Sequence, residues 1–324
     1  KREIQAAVIL GDAAAETAAD GEILTWSASS KGREGWFKRM ESGRSALLLS
    51  DRDIIIKEAN IRRHDRVLVA AANDGLLLWE SLRHTPEGLS AAIVDSEAAK
   101  EALLRFAAAI DEEEKPLVMT YPSGGLPLPQ EALSAFGSAE FDHIVAREPW
   151  RRMSAALISG EETFSAFAEK ARDLLTKTGD IVLLQSPPAL GERISRLLDE
   201  FLLSGFSGIP DGLSALLKKA EDVFFTQKGK EAGRWVWDGE LLQNCFIKTG
   251  FTVTIAEIEQ KEERLLGEKD LLAWFDKEKS SWGKFMSANL GEKKFLEIKN
   301  VLSSRIKEGP LTWRWKSLLL KGKL

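Results

Sequence analysis

The chain has 324 residues, 44% of them hydrophobic and 29% charged, with a formal net charge of −5. That is enough apolar mass for a full core, as one large domain or two, and the charge gives no global attraction to nucleic acid. One cysteine, Cys245, excludes an internal disulfide and fits a reducing, cytoplasmic setting, with the thiol read as a small buried apolar group. The three histidines, His64, His84 and His143, lack zinc-ligand spacing, and neither a membrane-span-length apolar run nor a signal peptide is visible. The first residue is Lys1 rather than Met, read as a domain excised from something longer.

Residues 1–60 are expected to form an N-terminal extension. Gly11 to Gly21 reads as helix or linker, and Ser30 to Ser42 as a short amphipathic helix with Trp36, Phe37 and Met40. Ala46 to Ser50 and Asp53 to Lys57 flank a short polar turn and predict a β-hairpin.

From Asp65 the rhythm becomes strand, helix, strand, helix. Strands are expected at Arg66 to Ala71, Leu89 to Val94, Pro116 to Thr120, Phe141 to Ala146 and Ile181 to Gln185. Helices are expected at Leu76 to Arg83, at Glu97 to Ile110 with Ser96 as cap, and at Glu161 to Leu175. Such alternation predicts a doubly wound, mostly parallel Rossmann-like α/β sheet with right-handed crossovers. Pro187 to Gly239 reads as largely helical, Leu241 to Thr249 as a helix stopped by Gly250, and Phe251 to Ile258 as a late strand. The main domain is taken as 61–278, and 279–324 as a basic helical tail with far more Lys and Arg than Asp and Glu.

The order of these pieces resembles the class I S-adenosylmethionine (AdoMet) methyltransferases. Val67-Leu-Val-Ala runs into Asn73-Asp74-Gly75, and Asp95 follows at the spacing of a dinucleotide or AdoMet fold. Phe141-Asp-His-Ile-Val-Ala-Arg-Glu-Pro-Trp resembles the family's fourth-strand phrase, and Lys177-Thr-Gly-Asp its turn into strand five. Gly250-Phe251-Thr-Val-Thr resembles the entry into its late antiparallel strand. The resemblance implies AdoMet as cofactor.

The family turn reads acid-x-Gly-x-Gly-x-Gly. Here Val69 stands at the acid, Ala71 and Asn73 at the first two glycines, and only Gly75 is kept. Asn tolerates positive φ, so the turn is passable but electrostatically weakened, with Asp74 or Glu80 as substitute acids. The resemblance assigns Asp95 to the ribose hydroxyls; the alternative is capping of the helix that follows. Tyr121 is assigned to adenine, with packing as the alternative. At the fourth strand's end, Trp150 is expected to stack on a planar substrate, and Glu148 to accept a proton or to pair with Arg147, Arg151 or Arg152.

The resemblance therefore implies a methyltransferase-like activity toward a nitrogen or oxygen of nucleic acid, or else a degenerate binding module on the same fold. Trp282, Trp313 and Trp315 among lysines suit nucleic acid, or an amphipathic helix packed on the core. Ile23-Leu-Thr-Trp-Ser, Arg33-Glu-Gly-Trp and Leu78-Trp-Glu-Ser-Leu are similar to the extra C-terminal region of fusions with a AAA+ ATPase of the replication-associated recombination protein A type. That implies a covalently linked ATPase portion as partner. The chain itself has no Walker A sequence.

Overall fold

A computed structural model describes residues 44–108, 110–122, 125–151, 161–226 and 237–324. The expected helix at Ser30 to Ser42 and the segment Gly11 to Gly21 lie outside the described residues. Among the described residues, no helix is long and apolar enough to cross a membrane.

Seven strands form one sheet: β1 Arg66–Ala70, β2 Leu89–Val94, β3 Leu117–Thr120, β4 Phe141–Arg147, β5 Leu175–Gln185, β6 Thr252–Arg264 and β7 Leu311–Lys323. Their order is β3-β2-β1-β4-β5-β7-β6. β1 to β5 pair in parallel, and β7 runs antiparallel to both β5 and β6. The sheet is thus the expected doubly wound, Rossmann-like one. The reversed strand, however, is β7, whereas the sequence points to the strand after Gly250.

Helices cover both faces, which is why the inner strands read as unbroken apolar runs. On one face α1 Arg44–Ala59, α2 Leu76–His84 and α3 Glu97–Ala107 pack on Val67, Val69, Val145 and Val182. On the other, α4 Pro129–Phe136, α5 Glu161–Leu174 and α8 Gly239–Lys248 pack on Leu68, Ile144 and Ile181. A separate helical core holds α6 Ile194–Leu203, α7 Leu213–Thr226, α9 Glu268–Trp274, α10 Ser281–Leu290 and α11 Glu292–Arg305 around Trp274, Trp282 and Phe295. Its polar centre is Glu221, fully buried. This carboxylate accepts from the Ile194 and Ser195 backbone N–H groups, from Ser195 Oγ and from Trp282 Nε1.

Two expected elements are corrected. The hairpin at 46–57 is the single helix α1. Leu48, Asp51, Ile55 and Ala59 are buried at a 3-4-4 spacing, and the segment between the two apolar runs has no Gly, Pro or Asn to turn the chain. The helical tail ends in the strand β7. Gly309-Pro310 breaks the helix, and pairing on both sides with β5 and β6 overrides the helix propensity of its Leu and Lys residues. α1 packs on one face of the sheet and β7 is an inner strand of it, so elements from before residue 60 and after residue 279 both contribute to the sheet layer.

At the amino edge of the sheet, His143 on β4 lies between two carboxylates, with Nε2 3.0 Å from Asp65 and Nδ1 2.7 Å from Asp180. Lys321 of β7 approaches Asp180 at 3.6 Å and Glu58 at 3.4 Å. Burial opposes a charge on the imidazole, but Asp180 and Asp65 more than offset it and raise its pKa. A raised cation pKa stabilises the fold below the unfolded value of about 6.5 and loses that contribution as pH climbs through the folded value. The melting temperature is therefore expected to fall as pH rises from 6 through this window. His143→Gln should melt lower at pH 6 and lose that component of the slope; an unchanged slope in the variant rules the assignment out.

Candidate functional site

In an open α/β sheet, ligands bind beyond the carboxyl ends of the strands where the strand order reverses. Here that point lies between β1 and β4, because the chain leaves β1 for α2 on one face and leaves β4 for the opposite face.

The turn after β1 starts at Ala71, whose φ of 55° is left-handed. The Ala72 N–H bonds to the carbonyl of Ile93 at 2.8 Å, and the Gly75 N–H to that of Ala72 at 2.9 Å. Asn73 is buried, and its Oδ1 accepts the backbone N–H of Asp95 at 2.9 Å. One side chain thus ties the β1 turn to the end of β2. Gly75 has φ 70°, and a Cβ there would come within 2.6 Å of Trp79 Nε1 and 2.8 Å of Leu103 Cδ2. The glycine therefore serves close packing of α2 and α3 on the turn, and the space it leaves is filled by protein.

Asp95 stands at the carboxyl edge, only partly buried. Capping of α3 is done by Ser96, whose Oγ accepts the Ala99 N–H at 3.3 Å. This separates the two roles left open by the sequence. Tyr121 follows β3 and is half-buried; Lys170 Nζ lies 3.2 Å from its hydroxyl and 5.2 Å from its ring centroid.

Beyond β4 the arrangement departs from expectation. Arg147, its side chain only 13% exposed, pairs with Asp74 from the β1 turn and reaches Asp51 of α1 at 3.8 Å. Of the two substitute acids, Asp74 is therefore engaged by Arg147. Glu80 is engaged on α2 by Arg52 at 3.3 Å, Arg83 at 3.2 Å and His84 at 3.4 Å. Glu148 takes a left-handed φ of 52°. Its carboxylate accepts from Gln185 Nε2 at 2.8 Å, from the Ser186 N–H at 3.0 Å and from Ser186 Oγ, which in turn contacts Ser317 Oγ at 2.8 Å. Such strain persists only where surroundings fix it. Burial raises the Glu148 pKa against Arg151, Ser186 and Arg147. Trp150 is 1% exposed, with its ring 4.6 Å from that of Phe164 and 5.3 Å from that of Phe167. It is a core residue; the face expected to stack on substrate is covered by protein.

A cavity of about 60 Å³ opens beside Glu148, walled by Asp51, Arg147, Ser186, Arg264 and Trp315. Sequence reasoning missed Asp51, Ser186 and Gln260, which come from a helix, a strand end and a distant strand and have no local signature. Of the tail tryptophans, Trp282 is on α10, whereas Trp313 and Trp315 are on β7. Trp282 and Trp313 are buried in the helical core, and Arg264 lies 4.5 Å from the Trp313 ring and 5.5 Å from the Trp315 ring. Among the described residues no cluster of His, Cys, Asp or Glu is built to hold a metal ion. Cys245 is buried.

The β1–β3 side of this edge offers groups that an AdoMet adenosine would need: a bent backbone at Ala71, an acid at Asp95 whose backbone N–H is held by Asn73, and an aromatic ring at Tyr121. The opposite side fits less well, because the Arg147–Asp74 pair spans the reversal point.

No protein-family model and no curated protein matches the chain. Among solved structures it is similar to mycolic acid cyclopropane synthase CmaA1 with SAH and CTAB, at 15% identity over 89% of this chain and 88% of that one, TM-score 0.45. It is also similar to the YcgJ protein of Bacillus subtilis, at 14% over 85% and 97%, TM-score 0.45. The cyclopropane synthase MmaA2 of Mycobacterium tuberculosis gives 14% over 98% and 97%, TM-score 0.42. Likenesses at this level carry no argument about chemistry. The fold rests on the strand order itself. The segments that suggested a AAA+ fusion give no support from the structure: two lie outside the described residues, and Trp79 of the third packs against Phe106 at 5.4 Å.

Burial pushes Asp51 up to about 6, against Arg147 and a 2.8 Å hydrogen bond from Gln260 Nε2. For an acid raised in the fold, stability is greatest with the proton on and falls as pH rises from about 4 to about 6, by at most about 3 kcal/mol. Asp51→Asn keeps the acceptor for Gln260 and removes the charge. It should melt higher than wild type at pH 8 and flatten this part of the profile. A lower melting temperature at pH 8 would mean that the ionised carboxylate is needed by Arg147.

Proposed function

We propose that this chain is an AdoMet-dependent, methyltransferase-like domain, with the cofactor lying along the carboxyl edge from β3 to β1. The supporting observation is the Asn73–Asp95 hydrogen bond. It fixes the acid at the end of β2 beside the bent turn after β1, while Ser96 takes over the capping role. In this reading Asp95 accepts from the two ribose hydroxyls, Tyr121 lies against adenine, and the backbone at Ala71 faces the methionine end. AdoMet supplies an electrophilic methyl group on its sulfonium. Asp74 pairs with the Arg147 guanidinium and Asp51 lies 3.8 Å from it, so carboxylates offset its charge toward a second cation. Glu148 is the proton acceptor for a nitrogen or oxygen nucleophile, and its Ser186 bonds fix its position. Methyl transfer requires alignment more than acid–base power.

A second reading, a binding module without turnover, is favoured by two observations: Trp150 lies in the core, and Arg147 is locked to Asp74. Nucleic acid as the acceptor and a covalently linked AAA+ portion remain proposals that rest on the sequence motifs.

Calorimetry with AdoMet and S-adenosylhomocysteine tests the main reading. Saturable binding is expected, weakened about tenfold or more by Asp95→Ala with an unchanged circular dichroism spectrum, since two hydrogen bonds to a carboxylate are lost. No heat at millimolar cofactor, or equal affinity in the variant, removes the proposal. Binding without methyl transfer supports the second reading.

A further inference from the structure

The β6–β7 pair outruns the rest of the sheet. β5 ends where Gln185 faces Leu318, whereas Ile258 to Arg264 and Leu311 to Ser317 pair only with each other. This ribbon projects past the carboxyl edge, and the start of α6 stands beside it, with Arg196 Nη2 donating to the carbonyl of Arg314 at 2.9 Å. Between them runs an open groove of about 610 Å³, whose charged lining is Arg193, Arg196, Lys261, Arg314 and Lys316 with Glu259.

Two features of this lining are unfavourable by themselves. Lys261 and Arg314 are direct cross-strand partners, a like-charge placement that costs stability. Arg193 and Arg196 sit at the first turn of α6, where the helix end is already positive. With Glu259, carboxylates equal these five cations in number, so what the groove offers a ligand is exposed donors rather than net charge. Asp222 pairs with Arg193, Glu192 with Arg196, Glu200 with Arg314 and Glu257 with Lys316, and the last two cations are still 44% exposed. Exposed pairs of this kind are weak and leave guanidinium and ammonium donors for another anion. Among the described residues Lys261 has no ion-pair partner.

We infer that the groove is an anion site for a phosphate-bearing ligand. The arginine donors that these contacts leave over can meet phosphate oxygens, and two lysines add point charge. The open, elongated shape admits either a nucleic-acid backbone or the phosphates of a free nucleotide. The inference is independent of the AdoMet reading, because no lining residue belongs to the adenosine side of the edge.

The test uses the whole chain, a fluorescein-labelled single-stranded 20-mer followed by anisotropy at about 20 mM salt, and pyrophosphate followed by calorimetry. Wild type is compared with the Lys261→Ala/Lys316→Ala double variant, checked by melting temperature. Oligonucleotide binding is expected to weaken at least about tenfold in the variant, with a salt slope reduced by about two. Pyrophosphate binding without oligonucleotide binding supports the site and assigns it to a free nucleotide. The inference is overturned if neither probe binds wild type, if the variant binds both unchanged, or if polyglutamate binds as tightly, which indicates an acidic peptide instead. AdoMet calorimetry on the same variant should be unaffected, so failure of either proposal is read separately.

Discussion

A guanidinium cannot be taken out of water alone, and Arg147 brings three parts of the chain together for that reason. It leaves β4 at the point where strand order reverses, pairs with Asp74 from the β1 turn, and draws in Asp51 from α1. Asp74 is the close partner, and its loss is the one that would leave the buried guanidinium uncompensated. The cluster ties α1 and the β1 turn to the end of β4, in addition to the apolar packing of Ile55, Ile56 and Ala59 on the sheet. Asp51 connects it onward to Gln260 on β6, so the projecting ribbon is also in register with it.

This cluster divides the carboxyl edge into two halves of different character. On the β1–β2 side, Asn73 ties the backbone of Asp95 to the β1 turn, and Ser96 caps α3. On the β4–β5 side the polar groups are tied to each other through Glu148, Ser186, Gln185 and Ser317, and the aromatic residue is in the core. Binding a ligand and turning it over make separate demands, and a fold of this kind decides neither by itself.

Much of the sheet was legible from local pattern. Strands such as Val67 to Ala70 and Ala91 to Val94 are buried on both faces, so their composition alone marks them. Asp95 was legible because spacing from the β1 turn is a property of the βαβ unit. Trp150 was misread because its neighbours in sequence are polar, while its neighbours in space are Phe164 and Phe167. The segment 46–57 was misread because seven apolar residues in two runs satisfy strand and helix patterns alike; the 3-4-4 burial becomes visible only once a partner face exists.

The sequence by itself determined that the chain forms a doubly wound sheet, that an acid ends its second strand, and that its turn keeps a single glycine. These depend on residues close together in the chain, where periodicity and turn chemistry act. Tertiary structure alone decided that β7 enters between β5 and β6, that Arg147 closes onto Asp74 and Asp51, and that the tail's cations line a groove with α6. Those outcomes depend on pairing between segments up to hundreds of residues apart, where burial of charge and strand hydrogen bonding outweigh local preference.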